Sequence, residues 1–136
     1  MQMTVDYPEG GLPIAILAIH GELDASNFQD LIDKGKELYQ AGTRNLLLDL
    51  SEMPFMSSSG LVALHSLILL LRGQAPHDTQ SGWEAFHAID RERGSGAQTY
   101  VKLINPQPKI TLTLQKTGLD EFFEVYGDLS AALASL

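Results

Sequence analysis

The chain has 136 residues, enough to bury about two-thirds of its unfolded surface in a single core without covalent staples. It contains no cysteine, which excludes disulfides and thiolate metal sites and fits a reducing, cytoplasmic compartment. With 17 acidic residues against 9 Lys and Arg the net charge is -8, which argues against a phosphate-backbone partner and so against direct nucleic-acid binding.

From the N-terminus, Gln2 to Tyr7 reads as a weak strand, and Pro8-Glu9-Gly10-Gly11 as the turn that pairs it with the next. Pro13 to His20, PIAILAIH, is dense in aliphatic residues and ends at Gly21, the pattern of a strand running into a loop. Ser26 followed by Gln29 forms a capping-box pattern. Phe28, Leu31, Ile32, Gly35, Leu38 and Tyr39 then recur at helical spacing until Gly42, leaving Asp30, Asp33, Lys34, Lys36 and Glu37 on the wet side. Leu46, Leu47, Leu48 and Leu50, broken by Asp49, predict a strand covered on both faces. Pro54 prevents its continuation, and Gly60 to Arg72 predicts a helix that is apolar almost all round. A strand at Thr99 to Ile104, a helix at Lys109 to Thr117, a short strand at Phe122 to Tyr126 and a closing helix at Ser130 to Leu136 complete the pattern. Strands alternating with helices predict an α/β fold, a mixed sheet of about four to five strands with helices packed against it. The longest apolar run, Leu67 to Leu71, is too short to cross a bilayer, and no signal peptide is visible.

Between the doubly buried strand and the apolar helix stand three consecutive serines, Ser57, Ser58 and Ser59. Serine at a helix start accepts from the free amides of the first turn, so one of the three is expected to cap the helix. The same amides and the helix dipole also favour a phosphate group, so a structural cap and a phosphorylation switch call for the same residue types. Position alone does not separate the three hydroxyls. Catalysis is not expected: the G-x-S-x-G elbow and the Walker-type loop are both absent, and His20, His65, His77 and His87 lack metal-site spacing. A histidine such as His65 on an apolar helix reads as a packed residue, and no cofactor is implied.

His20-Gly21-Glu22-Leu23-Asp24 and the run DLSEMPFMSSSGLVAL resemble the signature of STAS domains, in particular of anti-sigma factor antagonists. The resemblance implies a single STAS-like domain over residues 1–136, with Phe55-Met56 as the aromatic-Met pair and Ser58-Ser59-Gly60 as the motif that opens the helix. It implies that Ser58 is the phosphoacceptor of a serine kinase that is also an anti-sigma factor: the unmodified protein binds the anti-sigma factor and so releases a sigma factor, and phosphorylation of Ser58 reverses the exchange. Glu22, Asp24, Met56, Ser57, Ser59, Gly60, Leu61 and Val62 are then the expected partner-binding residues. An all-round apolar helix either packs on the sheet with the preceding helix under later chain or leaves its start, with Met56, Leu61 and Val62, exposed as a partner surface around the serine. No membrane partner is implied, and a homodimer is one arrangement open to such a domain. The chain departs from the pattern twice. Ser57 stands where these antagonists carry Asp, and residues 73–98 are longer than the usual link to the next strand, with Trp83, Phe86 and Ile89 at helical spacing. Both departures keep a second expectation open, a non-phosphorylated STAS scaffold or sensor in a signalling assembly, or one that binds a small ligand.

Overall fold

The structure is a computed structural model that describes residues 1–8, 13–77, 88, 89, 91 and 98–136. Five strands form one mixed sheet in the order β1-β2-β3-β4-β5, so each strand lies beside its predecessor in the chain. β1 (Gln2–Asp6) is antiparallel to β2 (Ile14–His20), with Thr4 opposite Ala18. β2, β3 (Asn45–Asp49), β4 (Gln98–Ile104) and β5 (Phe123–Tyr126) run parallel. Parallel neighbours need crossovers, and helices α1 (Phe28–Gln40), α2 (Ser58–Leu71) and α3 (Pro108–Thr117) supply them. Crossovers that always step to the next strand in one direction place their helices on the same face. All three helices accordingly contribute to one core, with Leu17 and Ile19 of β2, Leu46 and Leu48 of β3 and Val101 and Leu103 of β4 beneath them.

The opposite face holds a smaller core of Ile14, Leu47, Ile104 and Ala132, roofed by a short helix, α4 (Leu129–Ala134). Asp128 caps α4 by accepting from the Ala131 amide at 2.8 Å. Because β3 is covered on both sides, Leu46, Leu47 and Leu48 are all fully buried, as their uninterrupted apolar pattern predicts. Of the predicted helical insertion, Trp83 and Phe86 lie outside the described residues; Ile89 is buried in the main core.

The capping-box expectation at Ser26 is corrected. α1 begins at Phe28 with Asn27 in the cap position, and the Ser26 hydroxyl donates to Asp24 Oδ1 at 2.5 Å instead of serving the helix. Asp24 also accepts from the Ser26 amide at 2.9 Å, closing a tight turn that competes for the serine. Gly35 lets α1 approach α2: a methyl there would lie 2.4 Å from Leu67 Cδ2 and 3.2 Å from Leu70 Cδ1.

A lysine is buried in the opposite face, where the strand pattern gave no sign of one. Lys102 is 4% exposed, donates to Ser135 Oγ at 2.8 Å and pairs with Glu124 at 2.8 Å. Its ammonium stands 5.5 Å from the centre of the Tyr126 ring, and Tyr126 donates to the same Glu124 carboxylate. The hydrogen bond from Lys102 holds the Glu124 carboxyl below its usual value of 4.5.

Gly35→Ala should lower stability by about 1 kcal/mol in urea unfolding, since overpacking costs about 1–3 kcal/mol and the gain in helix propensity returns about 1. Glu124→Gln should cost about 2 kcal/mol at neutral pH, less than a fully buried pair because the Glu124 side chain is 38% exposed. Lys102→Met, which removes the buried charge itself, should be near neutral. A depressed carboxyl contributes stability above its unfolded value and loses it as pH falls. Wild type should therefore lose stability below about pH 4.5 more steeply than Glu124→Gln, measured by urea unfolding across pH.

Candidate functional site

The serine junction lies at the carboxyl edge of the parallel strands, where the loop after β2 and the loop after β3 are joined by backbone hydrogen bonds. The Gly21 amide donates to Glu52 O at 3.0 Å, the Leu23 amide to Phe55 O at 3.1 Å, and the Ser57 amide to Leu23 O at 2.9 Å. Leu23 and Met56 thus form an isolated parallel bridge, a strand-like stitch that fixes where α2 begins. Asn27 serves the first loop from within, its Oδ1 accepting from the Asp24 amide and its Nδ2 donating to Glu22 O, both at 2.9 Å. The bonds from Ser26 hold the Asp24 carboxyl below its ordinary value, so it stays ionised at the rim. The second loop is braced by Asp49, which accepts from the Ser51 hydroxyl at 2.7 Å, and by Gln107, which donates to Ser51 O at 2.9 Å from the start of α3.

Within this frame the three serines part company. Ser57 is the N-cap of α2, with extended backbone, and its carbonyl accepts from the Gly60 and Leu61 amides. Its side chain does not cap: Ser57 Oγ is buried and has no hydrogen-bond partner. Ser58, the first helical residue, is exposed, while Ser59 is half-buried. No acidic residue stands in the first turn of α2. Gly60 is where the helix meets the stitch, since a methyl there would lie 2.4 Å from Met56 Cγ and 3.0 Å from Leu23 Cδ2.

The expectation of an exposed apolar helix start is corrected. Met56, Gly60, Leu61 and Val62 are all buried, because Leu23 and the helix they start close over them. They shape the floor of the site and do not form its rim. The rim consists of Glu22, Asp24, Glu52, Pro54, Phe55 and Ser58. Phe55 is 39% exposed, with the Lys109 ammonium 5.6 Å from its ring centre. His20 pairs with Glu52, and its other ring nitrogen is 3.3 Å from Thr4 Oγ1 across the antiparallel pair. The sequence reading missed Phe55 as a rim residue and Lys109 as its neighbour; the aromatic beside a proline turn was the available signal.

Away from the rim, His65 is packed as expected, 1% exposed on α2. It meets His77, with Nδ1 2.7 Å from His77 Nε2 and the rings stacked at 5.0 Å, and it stands edge-on to Phe122. The twelve-residue separation carried no sign of this pair. Among the described residues no group of three or more His, Asp and Glu could hold a metal ion, and no helix is long and apolar enough to cross a membrane.

Ser57→Ala should leave stability unchanged or raise it by up to about 1 kcal/mol in urea unfolding, because it removes a buried hydroxyl without a partner. A working serine cap would instead cost about 1 kcal/mol on the same change.

Comparison with known proteins agrees with this geometry. The STAS domain family profile matches residues 9–75. Curated proteins yield no match to the sequence. Similar solved structures include a Thermotoga maritima protein provisionally assigned as an anti-sigma factor antagonist, at 16% identity and a TM-score of 0.69 over 98% of this chain and 92% of that one. An anti-sigma factor antagonist from Mycobacterium paratuberculosis matches at 19% identity and 0.68, with 98% of this chain and 92% of that one covered. The Bacillus cell fate determinant SpoIIAA in its phosphorylated form matches at 15% identity and 0.60, covering 98% of each chain. At such identities the likeness establishes the fold.

Proposed function

We propose that this chain, whose residues 9–75 match the STAS domain family, acts as an anti-sigma factor antagonist: it binds an anti-sigma factor that is also a serine kinase, and phosphorylation of Ser58 ends the contact. The observation that carries this reading is the exposure of Ser58 at the first position of a helix that is half-buried at Ser59 and buried from Gly60. A kinase reaches that hydroxyl without disturbing the fold. In the transfer the Ser58 oxygen attacks the γ-phosphorus of a nucleoside triphosphate, the bond to the diphosphate breaks, and the hydroxyl proton is lost. The product carries about -1.5 to -2 charges at neutral pH. The helix dipole offsets part of that charge, while Glu22, Asp24 and Glu52 on the same rim add to it. A partner surface adapted to a neutral hydroxyl beside Phe55 then meets a solvated dianion that it must desolvate and pair. In this scheme the unmodified protein holds the anti-sigma factor, the sigma factor is free, and the protein works as a regulator in the cytoplasm with no chemistry of its own.

A second reading, a scaffold or sensor that is never phosphorylated, is favoured by Ser57 in the place of the usual Asp. That position brings no charge to help orient a kinase.

Ser58→Asp should weaken capture of the co-purifying anti-sigma factor by at least about tenfold, whereas Ser58→Ala should keep wild-type affinity. Intact mass and peptide mapping of protein from its native cells should place a phosphate on Ser58. Equal binding by wild type and Ser58→Asp, with unmodified serines under every growth condition, would transfer support to the scaffold reading.

A further inference from the structure

One exposed face meets the serine rim at Phe55 and is otherwise used by neither the rim nor the core. Helix α3 buries Ile110 and Leu114 and turns Lys109, Leu112 and Lys116 outward as a single stripe at spacings of three and four residues. Leu112 is 49% exposed and supplies a short apolar strip between the two cations, and Phe55 stands beside Lys109 at one end of it. In a protein of net charge -8, residues 105–118 contain both lysines and no acidic residue. Lys116 has an internal reason to be there, since a cation in the last turn complements the helix dipole. Lys109 has the opposite relation: it sits in the first turn, where the dipole disfavours a cation, and that turn carries no acid to offset it. Its contact with the Phe55 ring holds the ammonium at the edge of the strip without neutralising it.

We propose that the outward face of α3 is a docking surface for an acidic amphipathic helix of a partner protein. Charge complementarity selects an acidic segment, and spacing selects a helix. Lys109 and Lys116 are seven residues apart, which on a helix is about 10.5 Å along the axis. Carboxylates seven residues apart on a partner helix match that distance on one face, with an aliphatic side chain between them seated on Leu112 and Phe55. An extended strand matches it less well, because its same-face side chains repeat at about 6.8 Å and then about 13.6 Å. The attraction comes from two exposed lysines, so it is local and salt screens it. This surface borders the Ser58 rim through Phe55 but does not depend on the function proposed for that rim.

The test uses the full chain, isotopically labelled, titrated at low salt with one probe: an acetylated and amidated alanine-based helical peptide carrying two glutamates seven residues apart with two leucines between them. Saturable shifts centred on Phe55, Lys109, Leu112 and Lys116, weakened at least about tenfold in the doubly reversed variant Lys109→Glu/Lys116→Glu and in high salt, would support the proposal. Both lysines are exposed, so the variant should fold, and its unfolding curve checks that. Absence of saturable binding, equal binding by the reversed variant, or shifts centred elsewhere would overturn it. Ser58→Asp should bind the peptide as wild type does. Loss of the Ser58 switch with peptide binding intact would therefore remove the proposed function alone, and the reverse result would remove this surface alone.

Discussion

The structure depends on the burial of α2. From Gly60 to Leu71 every residue of this helix except Leu69 is buried, pressed on one side to the sheet and on another to α1. Fully burying one large aliphatic side chain is worth about 1.5–3 kcal/mol, and Leu61, Leu64, Leu67, Ile68 and Leu71 each contribute on that scale. A helix so placed has little freedom to slide or rotate. Its first turn is held by Gly60 against Met56 and Leu23, and its middle by Gly35 of α1, two glycines chosen by lack of space in a helix that would otherwise prefer alanine. The position of Ser58 follows from this packing: it is the last place before the helix enters the core.

Much of that was legible in the sequence, because the relevant signals are local. The apolar run of β3, the alternating strands and helices and the amphipathic spacing of α1 each record which side of an element faces the core, and the structure places them accordingly. What was not legible concerns competition and coverage. Ser26 and Gln29 satisfy a capping pattern, yet Asp24, two residues before the serine, offers its hydroxyl and amide a nearer acceptor. No spacing rule ranks those two uses. Similarly, a helix apolar all round does not say which of its faces lies outermost, so Met56, Leu61 and Val62 read equally as rim or floor until Leu23 is placed over them.

Lys102 is the clearest case of information absent from local pattern. A lysine between Val101 and Leu103 reads as the solvated side of a strand. Its burial requires a carboxylate from β5, a hydroxyl from the residue after α4 and the Tyr126 ring to meet on one face, and these lie 22 to 33 residues further along the chain. The same holds for His65 and His77, brought together only when the chain after α2 folds back on it. Tertiary polar contacts of this kind satisfy groups that burial would otherwise penalise, and they are specified by the fold as a whole.

The rigidity of α2 also restricts how a modification at Ser58 could act. A phosphate can order or melt a helix terminus when that terminus is marginal, and here it is not: the Ser57 carbonyl already accepts from two amides, the Ser57 amide is bonded to Leu23 O, and the turns that follow are buried. With no acid in the first turn, the dipole would welcome the new charge by about 0.3–1 kcal/mol, an amount that strengthens the helix slightly and changes nothing downstream of it. A phosphate at this position therefore has one place left to do work, which is the surface it shares with Phe55, Glu22, Asp24 and Glu52. The switch proposed for Ser58 is accordingly a change in what the rim can bind, on a fold that stays the same in both states.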